Sequence, residues 1–116
     1  MTVTIYGIKT CDTVRKARAF LDAEGIPYRF HDFRVDGLDA DRLERWIDAL
    51  GWEKLLNRAS TSFRALPEAS RQVADASAAA ALMLAEPTMI KRPVLDVDGR
   101  LTVGFKEDAW RKFLGR

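Results

Sequence analysis

The N-terminal part of the chain constrains the fold most, because it has the pattern of a strand, a helix and a second strand. The run "TVTIY" (2–6) alternates threonines with apolar residues, as a half-buried strand does, until Gly7 interrupts it. From Asp12 the apolar residues recur at helical spacing, and Gly25 gives a stop signal. The run "YRFHDF" (28–33) alternates again. Parallel pairing of these two strands through the helix would make a βαβ unit.

A block of helical composition follows. The stretch "DGLDADRLERWIDALG" predicts a helix that Asp39 caps and Gly51 ends. Beyond it, Asn57–Ser62 and Pro67 predict breaks between short helical pieces. These pieces are expected around Leu55, at Glu68–Ala74 and, rich in alanine, at Ser77–Leu84.

The C-terminal part returns to strands. The run "VLDVDGRLTVGF" predicts two strands joined at Asp98-Gly99, a strong hairpin signal, and Asp108–Leu114 predicts a final helix. Without the helical block the order is βαβ followed by ββα. We therefore predict a single α/β domain over 1–116, with a thioredoxin-like mixed four-stranded sheet and a helical insertion at about 38–86.

Charge and cysteine content exclude several classes of protein. The 19 basic and 17 acidic residues nearly cancel, so the concentrated positive field of an electrostatically driven nucleic-acid binder is missing. A single cysteine cannot form an internal disulfide, and this composition favours neither a disulfide framework nor a metal site. Sparse cysteine suits a reducing compartment. We expect a cytoplasmic protein that has no membrane span and binds no metal.

The single cysteine, Cys11, lies in the loop between the first strand and the first helix. A helix N-terminus favours an anion, and Lys9, Arg15 and Lys16 add positive charge nearby in sequence. A lone cysteine is also an ordinary small buried side chain, so the local residues leave a reactive and an inert thiol both open. Val14 stands where a Cys-X-X-Cys pair would have its second cysteine. Any redox cycle therefore needs an external thiol.

Other polar and aromatic residues are weaker candidates when taken one at a time. Guanidinium groups bind oxyanions through two hydrogen bonds, yet a single surface cation is more often just solvated. His31 has no companion ligands in sequence and is interpreted as structural. The cations that could together bind an anion are Arg58, Arg64, Arg92 and Lys106, and the tryptophans Trp46, Trp52 and Trp110 are interpreted as packing residues.

Four segments taken together resemble a known family. They are "YGIKTCDTVRKA", "NRASTSFRAL", "IKRPVLDVDG" and "VGFKEDAW". In this order they are similar to the arsenate reductase and Spx family of thioredoxin-fold proteins, and most of all to its YffB-like branch. The resemblance spans nearly the whole chain.

The resemblance implies the site residues. It implies that Cys11 is the catalytic cysteine and that Arg92 precedes a cis-proline, Pro93, which faces it. It further implies an arginine from the inserted helices, for which Arg58 and Arg64 are competing matches. Lys106, before the final helix, falls where arsenate reductases of the family have a third arginine. With Lys9 beside the cysteine, these residues form the expected site for glutathione or substrate.

The chain departs from the arsenate reductases at two points. Those enzymes have His-Asn-Pro-X before the cysteine, whereas this chain has Gly7, Ile8, Lys9 and Thr10. Lys106 also lacks the planar fork of an arginine. The resemblance therefore implies a monothiol reductase that uses glutathione as co-substrate, with no bound cofactor, rather than an arsenate-specific enzyme. Its expected partners are glutathione, glutaredoxin and a small oxyanion or disulfide substrate. The alternative is an Spx-like regulator that binds RNA polymerase.

Overall fold

The computed structural model describes all residues from 1 to 116, and the chain forms two compact units. The sheet unit comprises Met1–Asp36 and Arg92–Arg116, and the helical unit comprises Gly37–Lys91. The predicted insertion of about 38–86 lies within the second range. Whether the chain is a single domain with an insertion stays a prediction.

The sheet unit contains one mixed sheet of four strands in the order β2-β1-β3-β4. The strands are β1 (Val3–Gly7), β2 (Arg29–Asp32), β3 (Val94–Val97) and β4 (Arg100–Val103). β1 pairs with β2 in parallel, and the other two pairings are antiparallel. The βαβ and ββα parts therefore share one sheet, which confirms the thioredoxin-like α/β fold predicted from the sequence.

Two helices pack together with one face of this sheet. They are α1 (Asp12–Ala23) and α7 (Glu107–Phe113). Trp110 of α7 is almost fully buried, and its indole N–H donates to the carbonyl oxygen of Gly104 at 2.9 Å, so its one polar group is satisfied. The shared core consists of Val3, Ile5, Ala17, Phe20, Leu21, Ile26, Leu95, Val97, Trp110 and Leu114.

The turn signals in the sheet unit are confirmed. Asp98 and Gly99 both have positive φ angles, 53° and 89°, as a two-residue hairpin turn of type I′ requires. Gly25 follows α1 with φ 67°, a conformation that favours glycine at a helix end.

The predicted second strand is wrong at its C-terminal end. The alternation in "YRFHDF" extends to Phe33, but β2 stops at Asp32 and a one-turn helix, α2 (Phe33–Asp36), follows. The carboxylate of Asp32 accepts a hydrogen bond from the Arg34 N–H at 2.8 Å and so starts that turn. A local side-chain cap thus overrides the alternating pattern.

The helical unit begins with the helix that the sequence predicted. This helix, α3, has its N-terminal N–H groups capped by Asp39, whose carboxylate accepts from the Arg42 N–H at 2.6 Å. Gly51 follows it with φ 88°. The helices of this unit are α3 (Ala40–Leu50), α4 (Trp52–Leu55), α5 (Thr61–Arg64) and α6 (Ala76–Ala85), with 3₁₀ turns at Glu68–Arg71 and Pro87–Met89.

Three expectations about helix positions are corrected. A helical turn, α5, begins inside the stretch predicted as a break, because the hydroxyl of Ser60 caps it by accepting from the Phe63 N–H at 3.2 Å. The piece expected at Glu68–Ala74 is only a 3₁₀ turn that ends at Arg71. The last helix starts one residue earlier than predicted, at Glu107. None of the helices has the length and apolar character needed to cross a membrane.

Candidate functional site

The loop that carries Cys11 is a tight turn between β1 and α1. The N–H of Cys11 donates to the carbonyl oxygen of Ile8 at 3.0 Å, which closes the turn. The carbonyl oxygen of Cys11 accepts the first hydrogen bond of α1, from the Arg15 N–H at 2.9 Å. With φ −76° and ψ 126°, Cys11 is the N-cap residue of α1. Its partly exposed side chain therefore lies at the positive end of that helix.

Gly7 lets this turn pack directly on α1. A Cβ atom at Gly7 would lie 2.6 Å from Cγ2 of Val14, a distance that no side chain can occupy without moving the helix. Val14 is fully buried in the first turn of α1. The end of β1 and the start of α1 therefore approach closely, and this contact helps to fix the turn that carries the cysteine.

The surroundings of Cys11 favour its thiolate. Burial raises the pKa of the thiol, but several donors outweigh that effect and the net pKa lies below its ordinary value. These donors are the main-chain N–H of Val14, the guanidinium group of Arg92 with its charge, and the main-chain N–H of Thr13. The sulfur makes no short capping hydrogen bond to the helix, so the two N–H groups act on it mainly as oriented dipoles.

Arg92 reaches the cysteine from the segment before β3. The peptide bond between Arg92 and Pro93 is cis, as the resemblance implied, and the Arg92 guanidinium group lies near enough to the sulfur to lower the pKa of the Cys11 thiol. Pro93 is buried at the start of β3, and Arg92 is half-buried. The structure thus brings Arg92 near Cys11, and the position of Pro93 facing the cysteine stays a prediction.

The carboxylate of Asp32 forms a hydrogen bond with the main chain of the cysteine loop. Asp32 is the one charged residue that is buried, with 7% of its surface exposed. One carboxylate oxygen accepts from the Lys9 N–H at 3.1 Å, and the other accepts from the Arg34 N–H at 2.8 Å. The Lys9 side chain itself is exposed. The loop before Cys11 is therefore fixed through its main chain, and the ammonium group of Lys9 is free to meet a ligand.

Lys106 lies in a different environment. It is the N-cap residue of α7 and lines an open cleft of about 590 Å³ with other residues of that helix. Neither Cys11 nor Arg92 lines this cleft, whose other residues are Glu107, Asp108, Ala109 and Lys112. The predicted role of Lys106 beside the cysteine stays a prediction.

Arg58 and Arg64, the competing arginines, both belong to the helical unit but differ in how firmly they are held. The guanidinium carbon of Arg58 lies 5.8 Å from the ring centre of Trp52 and 6.0 Å from that of Phe63. Its backbone belongs to a turn in which Asn57 accepts from the Ala59 N–H at 3.0 Å. Arg64 lies at the end of α5, and both arginines are exposed. The ring contacts restrain the side chain of Arg58, and the role of either arginine at the cysteine stays a prediction.

His31 has a packing environment. Its ring centre lies 4.9 Å from that of Tyr6 and 6.1 Å from that of Phe33, so it belongs to an aromatic row on the sheet. This agrees with the structural role expected of it. No group of three or more His, Cys, Asp or Glu side chains is arranged to hold a metal ion.

Sequence reasoning missed Asp32 and the reason for Gly7. Asp32 ends an alternating run, a position at which a carboxylate often caps a turn, but its burial and its bond to Lys9 are non-local. Gly7 is visible as a break between a strand and the cysteine loop. Its contact with Val14 depends on how α1 returns to the sheet.

The arrangement favours the thiolate form of the one cysteine. A thiolate at a helix start, next to a guanidinium group, can attack an electrophilic sulfur or an oxyanion centre. Val14 occupies the position of a second cysteine and is buried, so the chain supplies no resolving thiol at that position.

Comparison with known proteins places this site in a family. The profile of the ArsC family matches residues 6–113. An arsenate reductase (ArsC) related protein from Brucella melitensis is 53% identical, with a TM-score of 0.80 over 100% of this chain and 97% of its own. The solved structure of a YffB protein is 50% identical, with a TM-score of 0.92 over 96% of this chain and 97% of its own.

A transcriptional regulator is also among the proteins similar to this chain. The global transcriptional regulator Spx of Listeria innocua is 28% identical over 98% of this chain and 88% of its own length. The family profile and these similarities cover the cysteine loop, the helical unit and the Arg92 segment alike. This chain therefore belongs to the ArsC family.

Proposed function

We propose that this protein is a monothiol reductase in which Cys11 is the nucleophile and glutathione is the reductant. One observation carries the proposal: the Cys11 sulfur lies at the start of α1, where helix N–H groups and Arg92 lower the pKa of the thiol. Membership in a family with arsenate reductase-related structures supports a reductase.

The reaction is a pair of thiol–disulfide exchanges. The Cys11 thiolate attacks the glutathione sulfur of a glutathionylated substrate, an S–S bond to Cys11 forms, and the substrate leaves as a thiolate that takes up a proton. A second glutathione, as thiolate, then attacks the sulfur of the bound glutathione. Oxidised glutathione leaves, and the Cys11 thiolate is restored. In sum, the mixed disulfide and one glutathione thiol become the substrate thiol and oxidised glutathione, and the glutathionyl group of the substrate supplies the other half of that disulfide.

The cations assigned to the site in this proposal account for the choice of thiol. Glutathione carries two carboxylates, and a guanidinium group binds a carboxylate through two parallel hydrogen bonds. In this proposal Arg92 orients the sulfur and one carboxylate, while Lys9, Lys106 and Arg58 or Arg64 contribute further positive charge. Glutaredoxin is a second reductant that could release the same mixed disulfide.

Arsenate is the narrower alternative within this chemistry. The arsenate reductases of the family have a histidine where this chain has Gly7, and the close contact with Val14 leaves no room for a side chain there. Activation therefore falls to the helix N–H groups and Arg92 alone. Expression in an arsenate-sensitive strain tests this substrate, and failure to restore growth would exclude it.

The decisive experiment compares wild type with Cys11→Ser in a glutathione-coupled disulfide assay. We expect the variant to lose activity while its circular dichroism spectrum stays native. Intact mass spectrometry with oxidised glutathione should show one glutathionyl adduct on the wild type and none on the variant. Unchanged turnover in Cys11→Ser would refute the proposal.

A second function is favoured by the similarity to Spx, which extends over 98% of the chain. In that case the protein would bind RNA polymerase and have no reductase activity of its own. A pull-down with purified polymerase distinguishes the two: retention by both wild type and Cys11→Ser, without turnover, would favour a regulator. An unreactive thiol together with no retention would instead indicate a thioredoxin-like module without catalytic activity.

A further inference from the structure

We propose that Asp32 is a positioning residue for Cys11, because its buried carboxylate holds the main chain of the cysteine loop at Lys9. The inference deepens the proposed function and rests on it for its biological meaning. Its structural content can be tested separately.

Asp32 lies at the end of β2, beside the end of β1 from which the cysteine loop begins. In the parallel pairing of β1 with β2, Asp32 is the register partner of Gly7, the last residue before the loop. Asp32 is 7% exposed, and its carboxylate accepts the Lys9 N–H at 3.1 Å. Burying a carboxylate is costly unless hydrogen bonds compensate, so this bond is an essential part of the environment of Asp32.

A capping role alone does not explain an aspartate here. The bond from the Arg34 N–H would be equally available to an asparagine, which is a good cap residue. The second oxygen, however, faces the Lys9 N–H, and an asparagine would present an NH₂ donor to that donor. Only a carboxylate accepts from both N–H groups at once. The hydrogen bond from the Lys9 N–H therefore explains why position 32 has an aspartate and not an asparagine.

The hydrogen bond at Lys9 affects the position of the sulfur because Lys9 and Cys11 belong to the same short turn. Lys9 is the second residue of the turn that the bond from Cys11 N–H to Ile8 closes at 3.0 Å. Cys11 is then the N-cap residue of α1, with the guanidinium group of Arg92 nearby. Releasing Lys9 would let the turn relax and would move the sulfur away from the helix N–H groups and the guanidinium.

A positioning role and a purely electrostatic role of Asp32 predict opposite changes in the pKa of the Cys11 thiol when Asp32 is neutralised. The charged groups of the loop and first turn are Lys9, Asp12, Arg15 and Lys16, and Arg92 comes from the segment before β3. If Asp32 acted only as a negative charge, its neutralisation would lower the pKa of the Cys11 thiol. If it positions the loop, neutralisation should raise that pKa, because the sulfur loses its donors.

The test is the pH dependence of iodoacetamide alkylation of Asp32→Asn. The matched control is Asp36→Asn, which alters a carboxylate that accepts the Asp32 N–H at 3.0 Å but does not bond to the cysteine loop. We expect the apparent pKa of Cys11 to rise by about one pH unit in Asp32→Asn and to stay at the wild-type value in the control. A fall in Asp32→Asn, or no change, would overturn the proposal.

A second pair of variants removes the donor instead of the acceptor. Lys9→Pro deletes the N–H at a turn position that proline favours, and Lys9→Ala removes the same ammonium group but keeps the N–H. Lys9→Pro should raise the Cys11 pKa relative to Lys9→Ala, and it should add little in the Asp32→Asn background. Equal values for the two Lys9 variants would contradict the proposal, even if Asp32→Asn fails to fold.

Different results would contradict the proposal for Asp32 and the proposal that the protein is a reductase. Alkylation by iodoacetamide needs no reductase activity, so these pKa values report on Asp32 whatever the biological substrate is. Loss of the reductase assignment would leave the Asp32 result intact. Normal reductase turnover, together with an unchanged Cys11 pKa in Asp32→Asn, would overturn the Asp32 proposal and leave the reductase assignment intact.

Discussion

The guanidinium group of Arg92 lies near enough to the sulfur of Cys11 to lower the pKa of the thiol, although 81 positions in the sequence numbering separate the two residues. Sheet topology explains the meeting. β1 and β3 are antiparallel, with Tyr6 opposite Val94, so the end of β1 lies beside the start of β3. The cysteine loop leaves that end, and the Arg92-Pro93 segment enters it. The order of the strands therefore creates the thiolate site.

Replacing Arg92 should raise the pKa of the Cys11 thiol. Arg92→Gln removes both the charge and the guanidinium donors, and we expect the apparent pKa from alkylation rates to rise by about one pH unit. Arg92→Lys keeps a charge and loses the planar fork, so its rise should be smaller. An Arg92→Gln protein with the wild-type pKa would show that the helix N–H groups act alone.

Reductase activity and stability should both follow the titration of Cys11. Because the folded-state pKa is lowered, activity should increase as the pH rises through that pKa and then level off. The unfolded state binds more protons between the folded pKa and the ordinary value near about 8.5, so stability should rise with pH across this window. The stability that the lowered pKa contributes should be fully present above this window and should be lost as the pH falls through the folded-state pKa.

Urea denaturation at several pH values measures this linkage. The matched control is Cys11→Ser, which has no thiol to titrate and should lack the increase. The same slope in both proteins would mean that other groups cause it.

Gly7→Ala should destabilise the fold and disturb the site. The added methyl group meets Cγ2 of Val14 at 2.6 Å, and overpacking of this kind costs about 1–3 kcal/mol in the free energy of unfolding. Movement of α1 should also raise the Cys11 pKa. Val14→Ala removes the clashing group, so the double variant should lose less stability than the sum of the two single variants. Additive losses in urea denaturation would contradict this contact.

Arg58 and Arg64 should differ in their effect on turnover. We expect Arg58→Ala to lower kcat/KM for glutathione about tenfold, a loss of about 1.4 kcal/mol, because an ordered guanidinium needs less rearrangement to bind a carboxylate. Arg64→Ala, on an exposed helix end, is the matched control and should change it little. Steady-state kinetics at varied glutathione decide between them, and the reverse order would assign the role to Arg64.

Local signals allowed much of the fold to be predicted. Asp98-Gly99, Asp39 and Gly25 each act within a few residues, so the hairpin, the start of α3 and the end of α1 could be read from the sequence. The thioredoxin-like order of elements followed from these boundaries. The start of α5 was missed because Ser60 caps it inside a run that otherwise looks like a break.

The site was only partly predictable, because its contacts are long-range. The place of Cys11 before a helix was visible locally, but the approach of Arg92, which helps to lower the pKa of its thiol, depends on the sheet. The bond from Lys9 to Asp32 joins residues on different elements, and no periodicity encodes it. Family resemblance supplied Arg92 and the cis bond before Pro93, whereas Asp32 emerged only from the structure.

The central claim is that Cys11 is a thiolate in a glutathione site, and its most direct test is the pH dependence of Cys11 alkylation by iodoacetamide with and without glutathione. We predict an apparent pKa clearly below about 8.5, the ordinary value for a free cysteine, and slower alkylation when glutathione is bound. An apparent pKa at or above that value, with no protection by glutathione, would contradict the account.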